Sequence, residues 1–266
     1  MRILDWDTFI RGEGDPAPPL ALSIGVFDGV HRGHQRLIEK LRGYAAERGG
    51  RGGIITFTQN PRRVLHGGYF PGDIYSLPQK LKTLEACGVD FTVLIDFSGN
   101  ISTMMGSEFV ARIGLRRVGY LALGANFRCG YRLDTDARAI RDLAAPFGTR
   151  TELVNQVREG GAPVSSSRIR QALLAGDIAG AAALLGRPFR LDLEGLSPEE
   201  TEGGRSYDMG KTGRVLPPAG RYAGRLYTAN SNEGSETFVT LDCGYLSMSP
   251  VPLNLNVVSV ELCGSQ

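Results

Sequence analysis

The sequence predicts an α/β chain: a parallel sheet with helices on both faces, followed by a small antiparallel β-barrel-like domain. Three observations predict it. Between residues 20 and 189, continuous apolar runs alternate with amphipathic stretches, as buried parallel strands alternate with the helices that cover them. After about residue 189 the chain turns polar and glycine-containing, and then breaks into short β-like pieces separated by turn residues. The length, 266 residues, accommodates one domain of ordinary size and a smaller one. The composition therefore divides the chain into domains at 1–189 and 190–266.

The elements follow in order. Residues 11–19 are rich in Gly and Pro and read as a loop. Residues 20–27 are a continuous apolar strand. Residues 34–47 are a helix, because Leu37, Ile38, Leu41, Tyr44 and Ala45 recur at the spacing of one apolar face. Gly49 and Gly50 stop it, and 53–57 (GIITF) is the second strand. Residues 78–86 read as helix, 91–97 as strand, 107–113 as helix and 120–123 as a short strand ending at Gly124. Serines at 165–167 provide an N-cap for a helix through 174, and a further helix, 178–185, ends at Gly186 with Pro188 just beyond. In the second domain, 196–213 is polar, and 220–227, 237–241 and 253–262 are β-like, separated by turn residues such as 230–234.

Composition narrows the function classes. Apolar residues make up 42% and charged residues 22%, which fits a globular protein. With 30 basic and 28 acidic residues the net charge is only +2, so there is no general attraction to nucleic acid or to an anionic membrane. Cys87, Cys129, Cys243 and Cys263 are scattered, without zinc-ligand spacing or a disulfide framework. The first fifteen residues carry acids and no apolar core of a signal peptide, and no run of about 18 apolar residues occurs. The expectation is a cytoplasmic protein without a membrane span.

The chemistry concentrates at 23–41, SIGVFDGVHRGHQRLIEKL. An apolar strand reaches a turn at Asp28 and Gly29. His31, Gly33 and His34 follow where a helix begins, and two of the three histidines in the chain lie there. A strand-to-helix turn directs backbone N–H groups and the positive end of a helix dipole at an anion. Gly25 and Gly33 permit close approach of a phosphate to the backbone, and the imidazoles can donate to phosphoryl oxygens. The cluster Gly25, Phe27, Asp28, His31, Gly33 and His34 thus reads as a phosphate site. A second block, Ser165, Ser166, Ser167 and Arg168, combines hydroxyls and a helix start with an arginine, which suits a polyphosphate. Arg170 shares that role or faces solvent.

GVFDGVHRGH closely resembles the opening motif of the bacterial bifunctional riboflavin kinase/FAD synthetase family, which belongs to the HxGH nucleotidyltransferases. The resemblance continues through SLPQKLKTLEACGVDFTVLIDF at 76–97, LGANFRCG at 123–130, VSSSRIRQALLAGD at 164–177 and ALLGRPF at 183–189, covering nearly all of 20–190. It implies a Rossmann-like nucleotidyltransferase domain and adenylyl transfer from MgATP to FMN, giving FAD and pyrophosphate. The same resemblance places His31 and His34 on the ATP phosphates. It sets Asn126 at the polar centre of the site, and Ser165 to Arg168 on the triphosphate. Magnesium is implied by the ATP chemistry, since no carboxylate cage is visible.

The chain departs from the family pattern at several places. The family's PHP-like turn is Thr58-Gln59-Asn60-Pro61 here, so Asn60 and Pro61 take the place expected near FMN. Cys129 stands where a phenylalanine is usual and reads as a small packing residue. The FPTAN block of the kinase half is missing. A TAN at 228–230 lies in the wrong place, and DMGKTG at 208–213 lacks P-loop spacing. The expectation is an FMN adenylyltransferase with a degenerate kinase-like barrel. The alternatives are the full bifunctional enzyme, transfer to another phosphorylated acceptor, and a flavin-nucleotide sensor without turnover.

Overall fold

The computed structural model describes residues 1–13, 19–65, 70–97, 100–201, 204–229, 231–249, 251 and 256–265. The chain forms two compact units, Met1–Phe70 with Lys80–Arg158, and Pro71–Gln79 with Glu159–Gln266.

The first unit begins with β1 (Arg2–Asp5), α1 (Trp6–Arg11), β2 (Leu20–Ile24), α2 (Arg32–Arg48), β3 (Arg51–Phe57) and α3 (Pro61–Leu65). It continues with α4 (Leu77–Ala86, from Lys80 onward), β4 (Phe91–Ile95), α5 (Gly106–Gly114) and β5 (Val118–Gly124). The short strands β6 (Arg128–Cys129) and β7 (Thr135–Asp136), then α6 (Ala137–Ala144) and β8 (Arg150–Val154), complete it. Six strands form one sheet in the order β1-β4-β3-β2-β5-β8. Every pairing is parallel.

Alternation along the strands sorts the core onto two faces. Leu20, Leu22 and Ile24 join Phe91, Val93, Leu121 and Leu123 against α1, α5 and α6. Ala21, Ile54, Tyr120 and Ala122 join Leu37, Ile38 and Leu41 of α2 and Leu84 of α4. Helices therefore cover both faces, as the apolar runs predicted. The residues of β2 are all buried, because it lies inside the sheet between β3 and β5.

Some expectations change. The strand expected over 20–27 ends at Ile24, because Phe27 adopts a left-handed φ of 53° and turns the chain out of the sheet. The N-terminal residues form β1 and α1, two elements that no apolar periodicity predicts. Asp5 caps α1 by accepting from the Thr8 amide at 2.8 Å, and Trp6 and Phe9 are buried. Part of the loop expected at 11–19 lies outside the described residues.

The second unit holds α7 (Ser166–Leu174) and α8 (Ile178–Leu185), preceded by the short strands β9 (Arg158–Glu159) and β10 (Ala162–Pro163). Its main sheet is built from β11 (Arg190–Asp192), β12 (Glu199–Thr201), β13 (Gly204–Asp208), β14 (Gly220–Thr228), β15 (Ser231–Asp242), β16 (Tyr245–Ser249) and β17 (Val257–Ser265). These run antiparallel in the order β11-β17-β14-β15-β16-β13-β12. Tyr222, Leu226, Val239, Leu241, Leu246, Met248 and Val260 are among its buried residues. Register shifts between β14 and β17 at Ala223/Gly224 and Tyr227/Thr228 mark bulges, which bend a sheet.

The polar segment 196–213 contains β12 and β13. Ser231 to Gly234, expected in a turn, belong to β15: Ser231 pairs with Thr228, and the register then shifts before Ser235 pairs with Leu226. Asn230, 252–255 and part of the GG at 203–204 lie outside the described residues.

Candidate active site

The site is built where β2 leaves the sheet. The Gly25 amide still donates to the Ile55 carbonyl at 3.1 Å, but the chain then reverses through positive φ at Phe27 (53°), Gly29 (76°) and Val30 (40°). A single 3-10 turn, Asp28–Val30, spans the reversal. A fully buried, β-branched Val30 in this region is strained, and surrounding contacts must hold it there. One such contact closes the turn: Gln35 Nε2 donates to the Val30 carbonyl at 3.0 Å.

His31 is the N-cap of α2. Its Nδ1 accepts from the His34 amide at 3.3 Å. With Nδ1 used as an acceptor, a neutral imidazole carries its proton on Nε2, which becomes a donor. The His31 and His34 rings stack at 3.7 Å between centroids and 14° between planes, and His34 lies 4.7 Å from the Phe27 ring. Phe27 is fully buried, with its ring packed against His34. Asp28 is buried in the same turn and Gly33 lies in the first turn of α2. The 17-residue α2 adds the positive end of its dipole to this position.

Neighbouring strands bring three more expected residues to the same carboxyl edge, where ligands of open parallel sheets bind. Asn126 is exposed in the turn after β5, held by Ala125 N–H to the Val154 carbonyl and Phe127 N–H to the Gly124 carbonyl. Asn60 and Pro61 follow β3. Asn60 is buried and its Oδ1 accepts from the Arg62 amide at 3.2 Å, while Pro61 is the first residue of α3.

The serine block belongs to the second unit. Ser165 caps α7, its Oγ accepting from the Arg168 amide at 3.3 Å, and Ser166 and Ser167 occupy the first turn. Arg168 Nη1 donates to the carbonyls of Glu159, Ala162 and Pro163 at 2.9–3.2 Å, so this guanidinium braces the β9–β10 turn. Arg170 does not face solvent. It is 5% exposed and its Nε donates to the Gly72 carbonyl at 2.7 Å.

Sequence reasoning gave no role to Lys80, which is 8% exposed on the first unit's carboxyl edge. Its Nζ donates to the Phe57 carbonyl at 2.7 Å and to Thr56 Oγ1 at 3.3 Å, and lies 3.5 Å from the Val26 carbonyl. Thr56 Oγ1 donates to the same Val26 carbonyl at 2.9 Å. The signal was a lysine on the buried stripe of α4, four residues before Leu84. Cys129 packs against the α1/α5/α6 face of the core, and burial pushes its thiol up to about 12, in keeping with a packing residue.

Comparison with known proteins follows the same pattern. A family model for FAD synthetase matches residues 15–168. The chain belongs to the FAD synthetase family. That span carries both histidines, Asn60, Asn126 and the block up to Arg168. The bifunctional riboflavin kinase/FMN adenylyltransferase of Escherichia coli K12 is 30% identical over 178 residues, covering 66% of this chain and 57% of that protein. Its Pseudomonas fluorescens counterpart is 33% identical over 171 residues, covering 64% and 55%. These matches thus span little more than half of the relatives' length. The Bacillus subtilis counterpart is 30% identical over 227 residues, covering 80% and 71%. A crystal structure described as a macrolide-efflux protein from Streptococcus pneumoniae superposes with a TM-score of 0.82 at 20% identity, covering 99% of this chain and 90% of that one, which shows a shared fold. Among the described residues of this FAD synthetase family member, no helix is long and apolar enough to cross a membrane.

Proposed function

We propose that the protein transfers the adenylyl group of ATP to FMN, giving FAD and pyrophosphate. The observation that carries this reading is the His31–His34 pair at the start of α2, on the carboxyl edge of a central parallel strand, in a member of the FAD synthetase family. An oxygen of the FMN phosphate forms a bond to the α-phosphorus, and the bond from that phosphorus to the bridging oxygen of the β-phosphate breaks. The electron pair leaves with pyrophosphate. The attacking phosphate is already anionic, so positioning and charge stabilisation carry the catalysis.

His31 Nε2–H and His34 donate to phosphoryl oxygens, with Gly25, Asp28 and Gly33 shaping the turn around them. Asn126 contributes a polar contact from the next strand. Asn60 and Pro61 stand on the FMN side, where Asn60 also caps α3. Ser165, Ser166, Ser167 and Arg168 keep the triphosphate role that the resemblance implies. Among the described residues, no group of three His, Cys, Asp or Glu side chains converges, so magnesium would take phosphate oxygens as its main ligands. When bound, it would neutralise charge on the polyphosphate.

The proposal assigns 1–189 to the nucleotidyltransferase domain and 190–266 to a degenerate riboflavin-kinase-like barrel without kinase activity. The absent FPTAN block supports this. So does the region around DMGKTG, where Gly210–Thr212 makes one 3-10 turn and opens no helix. The test supplies FMN or riboflavin with MgATP and follows flavins and pyrophosphate. FAD with pyrophosphate is expected from FMN, and no FMN from riboflavin. Robust riboflavin phosphorylation overturns the second half. Binding without pyrophosphate release makes the protein a sensor, and release only with another acceptor changes the substrate.

A further inference from the structure

We propose that Lys80 is a positioning residue for the His31–His34 pair, acting through the ends of β2 and β3 rather than on the ligand. Its effect on turnover rests on the adenylyl-transfer reading; its effect on the histidines rests on geometry alone.

The turn that presents the histidines contains left-handed φ at Phe27, Gly29 and Val30. Such a turn persists only when its surroundings over-determine it. Its two ends are held from opposite sides. At the exit, the Gln35 side chain binds the Val30 carbonyl. At the entrance, the Val26 carbonyl accepts from Thr56 Oγ1 at 2.9 Å and faces Lys80 Nζ at 3.5 Å.

Lys80 joins that entrance to the neighbouring strand, because Nζ also donates to Thr56 Oγ1 and to the Phe57 carbonyl. An ammonium has three donors, and these three oxygens converge on it. Val26 is followed directly by Phe27, whose ring lies against His34, and His34 stacks on His31. The path from Lys80 to the catalytic imidazoles is therefore one chain of contacts: Thr56 and Val26, then Phe27, then His34. A buried lysine is costly to hold, which argues that its three oxygens are well placed for it. Loss of Lys80 leaves the entrance held by the Thr56 hydroxyl alone, itself no longer fixed by the ammonium, and lets Phe27 and the stacked rings shift together.

The experiment compares the full-length wild type with Lys80→Met and Thr56→Val. The His31 and His34 ring resonances are followed by NMR without ligand, after assignment by single substitution. Both variants are expected to move these resonances, Thr56→Val less than Lys80→Met. In the adenylylation assay, Lys80→Met is expected to lower kcat by about 10- to 100-fold while KM for ATP changes by less, as for a misplaced rather than a missing contact. Lys80→Arg is expected to recover part of kcat. A folded Lys80→Met with wild-type histidine resonances and wild-type kcat overturns the proposal. If Lys80→Met does not fold, unchanged resonances in Thr56→Val overturn it instead. Shifted resonances in a protein whose wild type makes no FAD support the positioning role and reject the adenylyl-transfer reading.

Discussion

His31 and His34 hold one another in two ways at once: the His34 amide donates to His31 Nδ1 at 3.3 Å, and the two rings stack at 3.7 Å. The first contact caps α2 and fixes which nitrogen of His31 carries its proton in the neutral ring. The second fixes the plane in which that proton is offered.

These roles separate by substitution. His31→Ala removes the cap and the donor, and is expected to cost about 1 kcal/mol of stability by urea unfolding. His31→Asn keeps a good cap, so its urea midpoint is expected to stay near wild type. Both variants are expected to lose about 100-fold or more in pyrophosphate release, the usual cost of losing a transition-state donor. Undiminished turnover in folded His31→Asn would remove His31 from the chemistry.

The contrast between legible and illegible features has a physical basis. Helix α8 occupies Ile178–Leu185 as read, because its signals are local: an Asp177 cap and a left-handed Gly186. The His31 turn and the Ser165 cap were legible for the same reason. Strand β1 was not, since it buries only Leu4, and a single residue leaves no pattern. Strand β13 was hidden because Arg205 and Ser206 are buried within it, polar side chains that only the assembled sheet accommodates. Lys80 carries no signal of its role in the sequence, and Arg170 reads either as sharing the polyphosphate role or as facing solvent. Their burial follows from tertiary packing around the Val26 and Gly72 carbonyls, which one-dimensional spacing does not carry.

Two glycines make opposite predictions. A Cβ at Gly43, within α2, meets nothing within 4 Å, so Gly43→Ala is expected to stabilise by about 0.5–1 kcal/mol through helix propensity. A Cβ at Gly53 of β3 would lie 2.3 Å from the Phe91 ring, inside the core. Gly53→Ala is expected to destabilise by about 1–3 kcal/mol through overpacking. Thermal unfolding of the two variants checks both signs, and equal shifts would contradict the packing around Phe91.

Thiol labelling separates the cysteines. Cys129 is half-buried, and desolvation above all, with Asp134 nearby, pushes its thiol up to about 12. Little thiolate is present at neutral pH, so alkylation of Cys129 is expected to be slow until the protein unfolds. Cys243 is exposed and is expected to react earlier, although its hydrogen bond to Asp242 raises its thiol as well. Cys129→Ala is expected to keep adenylylation near wild type; a large loss would give Cys129 a role beyond packing. Mass-resolved alkylation of the native protein reports the order directly.

Glu152 on β8 accepts from Tyr120 Oη at 2.8 Å and pairs with Lys40 of α2 at 2.7 Å. The Lys40 contact first, then the Tyr120 hydroxyl, holds this carboxyl below its ordinary 4.5. A depressed folded value means that the unfolded chain binds the proton more readily. The stabilisation is therefore fully present above pH 4.5 and is lost as pH falls through the folded value. Glu152→Gln deletes the charge and with it this pH dependence. Urea midpoints at about pH 7 and about pH 3 are expected to fall further for wild type than for Glu152→Gln. The variant should be the less stable of the two at neutral pH, with the gap narrowing in acid. Parallel profiles would mean that the Lys40–Glu152–Tyr120 contact contributes nothing to holding α2 on the sheet.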